Sequence, residues 1–339
     1  MRGYLIDHYL KDVPSELGAQ LKEDAPEPKL GRDDLLIDVR AAGLNFFDAL
    51  QLQGKYQTQP PFPWVPGVEF AGVVAKSSPI PKGCPFQAGD RVFGASQGAF
   101  AERVGCDWRQ LLEIPENLSF EQAAGLSITY PTSYLALAIR GQVKEGDWVL
   151  VHAGAGGVGL AAVQIAKALG AKVIATAGTK DKLEICKRVG GADYAVDYTD
   201  PKAWQAEVKR ITNGHGADVI YDPVGKIMES LKVVAWNGRI LVIGFAAGAI
   251  EKIPANLMLL KSCSIVGVFW GGSAKREPDI PAETWGALFE LFASKKLSPA
   301  VFEPICEGLE SLPQGLDALT SRKTYGKAVV RLPGKQSKL

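Results

Sequence analysis

The chain is short of histidine, has no paired cysteines and contains no long apolar run. Its 339 residues include three histidines (His8, His152, His215) and five cysteines (84, 106, 186, 263, 306), with no metal-ligand spacing among them. A bound metal is therefore not expected. The cysteines are scattered and odd in number, which argues for free thiols in a reducing compartment rather than a disulfide framework. No apolar stretch is long enough to span a bilayer, and the opening MRGYLIDHYLKD is a strand-like alternation, not a secretion signal. An excess of one charge is missing as well, since 38 Lys and Arg stand against 37 Asp and Glu. Without a basic excess or stripe, no nucleic-acid partner is expected.

What is present falls into two patterns, and the length allows two domains of ordinary size. Before about residue 115 the chain is rich in Pro and Gly, with short alternating segments such as LLIDVRAAG and FAGVVAKS. That predicts an irregular, mostly β domain. A helix opens at SFEQAAGLSITY, where Ser119 and Gln122 have capping-box spacing. From Asp147 strands and helices alternate. DWVLVHA, AKVIATA, ADVIYD, RILVIG and SIVGVFW read as strands. GGVGLAAVQIAKALG, TKDKLEICKRVGG and DPKAWQAEVKRIT read as helices, the last with Asp200 as cap and Pro201 in its first turn. The alternation predicts an α/β fold with a parallel sheet covered on both faces. After about residue 270 the pattern is irregular until a closing strand, KAVVRL.

One absence is local. Gly154, Gly156 and Gly159 stand in G-x-G-x-x-G order between a predicted strand and a predicted helix, the context in which that motif binds a dinucleotide pyrophosphate. The next strand should end in an acid that bonds the ribose 2′-hydroxyl. It ends instead in Ala177 and Gly178, followed by Thr179 and, in the first turn of the next helix, Lys182. Glycine leaves space, and a capped helix start with a hydroxyl and an ammonium makes an anion site, so NADPH is preferred over NADH. The alternative is that Lys180 and Lys182 are a solvated helix face balanced by Asp181 and Glu184.

The stretches AAGLNFFDALQLQGKY, PGVEFAGVV, GDRVFG, GAFAE, AGAGGVGLAAVQIAKALGAKVIATAG, GGADYAVDY and YGKAVV cover nearly all of the chain in order and spacing. In them the chain resembles the quinone oxidoreductase (zeta-crystallin-like) branch of the zinc-free medium-chain dehydrogenase/reductase superfamily. The resemblance implies a mostly β, GroES-like catalytic domain from residues 1–122 and 270–339. A Rossmann NADPH-binding domain, residues 123–269, would be inserted between, with the active site in the cleft. It implies that Gly178, Lys182 and Tyr198 surround the 2′-phosphate, and that Gly156, Gly157 and Val158 lie under the pyrophosphate. Asn45, Thr129, Phe245, Phe269, Trp270 and Lys327 would fall near the nicotinamide or the cleft. Zinc-dependent relatives have Gly-His-Glu where this chain reads Gly67-Val68-Glu69, and a ligating cysteine close to Asn45, which again argues for a metal-free site.

Without a metal to polarise a carbonyl, the expected acceptors are small molecules that spread the incoming charge: quinones, or enals, enones and enoyl compounds. Tyr56, where the family places a cleft tyrosine, is the candidate donor to the acceptor oxygen, and Asn45 the candidate partner of a carbonyl. Tyr56 as a packed loop aromatic is the competing reading, and Asp48 and Glu69 read as structural. A non-catalytic dinucleotide-binding protein is the alternative of another class. The family suggests a homodimer, and the apolar strand SIVGVFW near a sheet edge would suit one; a buried strand is the competing reading of the same pattern. The terminal Ser337-Lys338-Leu339 matches the peroxisomal import address, so a eukaryotic source implies the import receptor as partner and the peroxisomal matrix as location; otherwise the cytoplasm is expected.

Overall fold

Between Trp148 and Gly267 short β-branched and aliphatic runs alternate with amphipathic helices, and in the computed structural model these runs form one parallel sheet. The structure describes residues 1–248 and 250–333, so the Ser337-Lys338-Leu339 tail lies outside the described residues. The strands are β1 (Trp148–Val151), β2 (Lys172–Ala177), β3 (Tyr194–Asp197), β4 (Ala217–Asp222), β5 (Val234–Val242) and β6 (Ser264–Gly267). Their order is β3-β2-β1-β4-β5-β6 with every neighbouring pair parallel, the doubly wound order of dinucleotide-binding sheets. Val149, Leu150, Ile174, Ile220 and Ile240 are fully buried, as strands covered on both faces require.

The helices start where the sequence provides caps. Thr179 caps Lys180–Arg188, and its hydroxyl accepts the Lys182 N–H at 3.3 Å. Asp200 caps Pro201–Ile211, accepting from the N–H groups of Lys202 and Ala203 at 2.8 and 3.2 Å, with Pro201 at the position where no N–H is needed. These elements belong to a compact unit, Ile128–Ala300. That unit also holds a 15-residue helix, Asp279–Ala293, in the stretch whose sequence reads as irregular. Pro281 looks like a breaker, but it sits in the first turn, where its missing N–H costs nothing. The helix is fixed by packing: Leu288 and Phe292, one turn apart, are buried, and Phe292 meets Tyr130 edge-on at 5.1 Å.

The other unit comprises Met1–Ser127 and the chain from Val301 onward. Its long strand Asp34–Gly43 pairs antiparallel with Glu69–Val74, with Arg103–Asp107 and, through residues 41–43, with Val329–Arg331. Tyr4, Phe70, Phe93 and Phe100 fill its core, and the Tyr4 hydroxyl donates to Leu309 O at 2.7 Å, joining the two ends of the chain. This sheet brings residue 327 beside residue 43.

His152, at the end of β1, is fully buried. Its Nδ1 is 3.0 Å from Thr176 Oγ1, its Nε2 is 2.9 Å from Ser230 Oγ, and its ring meets Trp204 edge-on. Burial, helped by the Lys226 charge, lowers its pKa to about 3, so the folded imidazole is neutral. The unfolded chain takes up a proton near pH 6.5 that the folded chain refuses. His152 therefore contributes stability that is present above about pH 6.5 and is lost as pH falls toward 3. His152→Gln, which cannot charge, should show a shallower fall of Tm between pH 7 and 4 than the parent chain; parallel Tm profiles would refute this assignment.

Candidate functional site

The glycine turn begins at the end of β1, where Ala153 takes the left-handed region at φ 48°. A Cβ on Gly154 would lie 2.7 Å from Ala175 Cβ on β2, and one on Gly159 would lie 2.1 Å from Ala153 O. Neither position admits a side chain, so both glycines are required by the close approach of turn, helix and strand. Gly156 is the extended N-cap of the helix Gly157–Ala168, and the first residues of that helix, Gly157 and Val158, have N–H groups that the helix itself leaves unsatisfied. Behind the turn, the Ser133 hydroxyl lies 3.0 Å from Val158 O and 2.8 Å from Thr129 O, and 2.9 Å from the Tyr221 hydroxyl on β4. Thr129 and Val158, singled out separately in the sequence, are thus joined through Ser133.

At the end of β2, a Cβ on Gly178 would meet nothing closer than Tyr198 Cε2 at 3.7 Å. Gly178, Thr179, Lys182 and Tyr198 therefore gather at one corner, the ring of Tyr198 beside the open position and Lys182 in the first turn of the helix that Thr179 caps. The sequence reading missed the loop that borders this corner. Asp222, fully buried at the end of β4, accepts three successive N–H groups, Val224 and Gly225 at 2.8 and 2.9 Å and Lys226 at 2.6 Å. The loop so fixed places Lys226 Nζ 5.5 Å from the Tyr198 ring centre. An Asp ending a buried strand before Pro-x-Gly is a readable turn signal; Ser133, in mid-helix, gives none. Phe245 follows β5, and Phe269 and Trp270 follow β6, so they stand at the carboxyl ends of the strands, as the glycine turn and Gly178 do. That is the edge at which open α/β sheets bind ligands. Phe269 is 57% exposed and Phe245 38%, unusual for phenylalanine in a folded chain.

In the other unit Asn45, 7% exposed, is the N-cap of the helix Phe46–Leu52. Its Oδ1 accepts from Lys327 Nζ at 2.7 Å, and its Nδ2 donates to Glu69 Oε2 at 3.1 Å. Lys327 and Glu69 form a short, fully buried ion pair. Asp48 Oδ2 accepts the Asn45 backbone N–H at 2.7 Å, while Asp48 Oδ1 is buried without a hydrogen-bond partner. Burial pushes the Asp48 carboxyl up to about 7 against the pull of the Asn45 N–H and the Lys327 charge. Tyr56 stacks on Phe47 at 5.2 Å, and its phenol pKa is raised by burial and by the Asp48 charge. The structure therefore brings Asn45, Lys327, Glu69 and Asp48 into one cluster, with Tyr56 beside their helix.

The donor set does not suit zinc. Val68 and Asn45 occupy the positions where the sequence comparison looks for ligands, and among the described residues no group of three His, Cys, Asp or Glu side chains could hold a metal ion. The residues do suit a dinucleotide: a turn that only glycine can build, a helix N-terminus with free N–H groups, and an open corner at Gly178.

Comparison with known proteins agrees with this geometry. Residues 31–116 match the alcohol dehydrogenase GroES-like domain, and residues 157–293 match the domain described as zinc-binding dehydrogenase. The chain is 38% identical over 323 residues to the quinone oxidoreductase-like protein 2 homolog of Nematostella vectensis, covering 93% of this chain and 87% of that protein. It is 35% identical over 334 residues to quinone oxidoreductase-like protein 2 of Mus musculus, covering 96% and 93%. The crystal structure of Escherichia coli quinone oxidoreductase complexed with NADPH is similar at a TM-score of 0.86 and 28% identity, covering 98% of this chain and 100% of that one. The chain belongs to the quinone oxidoreductase branch of the medium-chain dehydrogenase/reductase superfamily.

Proposed function

We infer that the protein is an NADPH-dependent oxidoreductase acting on quinones or on conjugated enals and enones. The observation that supports this most is the end of β2. A carboxylate there would hold a ribose 2′-hydroxyl and repel a 2′-phosphate. This chain has Gly178, with 3.7 Å of clearance where a Cβ would stand, then a capping hydroxyl and Lys182. A phosphate fits that open and positively polarised corner. The relative solved with NADPH supports the same cofactor.

When bound, the dinucleotide supplies a hydride. The N–H groups of Gly157 and Val158 receive its pyrophosphate at the helix N-terminus, where the dipole is positive. Gly154, Gly156 and Gly159 let backbone approach it, and Phe245, Phe269, Trp270 and Thr129 are assigned to the nicotinamide half. Asn45 and Tyr56 are assigned to the acceptor oxygen. Burial and the Asp48 charge both raise the Tyr56 pKa, so its phenol remains a neutral donor at pH 7. One such donor is worth on the order of 10²-fold in rate. Because the donor set does not suit zinc, an acceptor that delocalises the incoming charge by conjugation needs the least help, which favours quinones and α,β-unsaturated carbonyls over simple ketones.

The test is NADPH oxidation with phenanthrenequinone, benzoquinone, hexenal and an enoyl-CoA, repeated with NADH and with Lys182→Ala. Turnover with a quinone or an enal is expected. The Lys182 variant should raise KM for NADPH about tenfold or more while changing KM for NADH less than about twofold, since one charge-assisted contact is lost. Equal effects on both cofactors would remove the 2′-phosphate assignment, and no turnover with any acceptor would leave a dinucleotide-binding protein without this activity.

A homodimer forms part of the same reading. β6 is the last strand of its sheet, and the neighbouring helix Ala255–Lys261 exposes Leu259 and Leu260 by 77% and 66%. Such apolar exposure beside a sheet edge suits a second copy of the chain. Light scattering should report a dimer that Leu259→Glu with Leu260→Glu converts to monomer; a monomeric parent chain would refute it. For a eukaryotic source, the Ser337-Lys338-Leu339 tail adds peroxisomal import to the reading. Deleting the three residues should move a fluorescent fusion from peroxisomes to cytosol, and an unchanged distribution would count against import.

A further inference from the structure

Lys327 reaches Asn45 through a slot made by two glycines. A Cβ on Gly125 would lie 2.7 Å from Lys327 Cγ, and one on Gly43 would lie 2.8 Å from Lys327 Cε and 2.2 Å from Ala124 O. The stem is thus held along its length, and the ammonium is delivered to Asn45 Oδ1 and Glu69 Oε2 with the lysine only 6% exposed. This fixes the Asn45 amide. An ammonium only donates, so it selects the oxygen end; an ionised carboxylate only accepts, so it selects the nitrogen end. A reversed amide would set N–H against ammonium and oxygen against carboxylate. Of the two Nδ2 hydrogens, one goes to Glu69, and the other has only Gly43 O at 3.5 Å, at the limit of a hydrogen bond.

We propose that Lys327 is a positioning residue. Paired with Glu69, it locks the Asn45 amide in the orientation that offers its second N–H to a bound carbonyl, and it does not itself bind the cofactor. This rests on the reading in which Asn45 serves the reacting carbonyl. It differs from the family expectation that Lys327 is a cofactor residue near the nicotinamide half or the cleft, because the glycine slot holds its ammonium, in a lysine only 6% exposed, on Asn45 Oδ1 and Glu69 Oε2. Without the lock, the amide would present its oxygen as readily as its nitrogen, and an oxygen facing a carbonyl oxygen is repulsive.

The chain has five asparagines, at 45, 117, 213, 237 and 256, so selective ¹⁵N-asparagine labelling gives a side-chain amide spectrum of five pairs. Asn45→Ala identifies the pair of interest. In the parent chain that pair should exchange slowly with solvent and be displaced by the carboxylate. In Lys327→Met, which removes the group that selects the oxygen end but leaves Glu69, the displacement should shrink and exchange should quicken at least tenfold. Turnover should fall about 10- to 100-fold, the scale of one lost donor, with KM for NADPH within about twofold of the parent. Asn45→Ala combined with Lys327→Met should be no slower than Asn45→Ala alone, because the two act as a unit.

Removing the lysine takes the countercharge from a buried carboxylate, which can unfold the chain. Glu69→Gln with Lys327→Met removes both charges at similar volume, and glutamine can serve either end of the amide, so the same spectral and kinetic changes are expected. An unaltered Asn45 amide in these variants would overturn the proposal. So would a tenfold weaker NADPH affinity at unchanged kcat, the mark of a direct cofactor ligand. The amide spectrum needs no turnover, so failure of the parent chain to reduce any acceptor would reject the function and leave the orientation of Asn45 still readable.

Discussion

The nucleotide-binding unit depends on a close approach of backbone to backbone in which no side chain takes part. The glycine turn folds back so tightly that a methyl group on Gly159 would fall 2.1 Å from Ala153 O, and one on Gly154 would press on β2. The helix Gly157–Ala168 can therefore start directly against the end of β1, with its unsatisfied N–H groups at the edge of the sheet. Ala153 accepts a left-handed conformation, costly for a residue with a Cβ, because the strand before it and the helix after it leave no other path. The Ser133 hydroxyl then fastens Val158 from behind. Were the turn looser, the start of this helix would lose its place at the sheet edge before the chain lost any chemical group.

The two units bury polar groups in opposite ways. Around β1 and β4 the buried polar groups are met by hydrogen bonds, His152 between Thr176 and Ser230, Tyr221 against Ser133, and the Asp222 carboxyl against three backbone N–H groups. Such groups need only hydrogen-bond partners, and they rigidify the strand ends from which the site is built. Around Asn45 the buried groups are charged, and a buried ion pair gains little net stability because desolvation offsets its Coulomb attraction. Such a pair gives direction rather than strength: a cation at one end of an amide and an anion at the other leave a single orientation for that amide. Lys327 lies 258 residues beyond Glu69, so this cluster exists only once the closing strand has joined the sheet.

Much of this was legible in the sequence where a local rule coincided with the tertiary structure. The strands β1, β2 and β4, the caps Thr179 and Asp200 and the glycine turn follow from periodicity and side-chain chemistry within a few residues, whereas the short strand β3 was not read from its sequence. Gly178 was legible as a vacancy because the motif states what should stand there. The helix Asp279–Ala293 was not, because Pro281 masks a start that the burial of Leu288 and Phe292 enforces. Asp222 closes its loop on three N–H groups through a readable Asp-Pro-x-Gly signal that the sequence reading missed, whereas Ser133 acts through a carbonyl 25 residues away and gives no signal. The Asn45 cluster was visible only as separate residues. Its assembly needs a sheet register that pairs Gly43 with Val329, and no local pattern encodes that pairing.

The same cluster bears on how long Tyr56 remains a donor as pH rises. One ammonium faces two carboxyls, and burial leaves Asp48 titrating near 7 while Lys327 is committed to Glu69. Below that point Asp48 is neutral and burial alone holds the phenol's pKa above its ordinary value. Above it Asp48 becomes an anion close to the phenol, and its charge opposes ionisation of Tyr56, reinforcing the effect of burial. The two titrations are thus ordered, the carboxyl first and the phenol well after it. A carboxyl at this position does more than cap a seven-residue helix: once ionised, it adds to burial in keeping the proton on the Tyr56 phenol, the state that the proposed function requires.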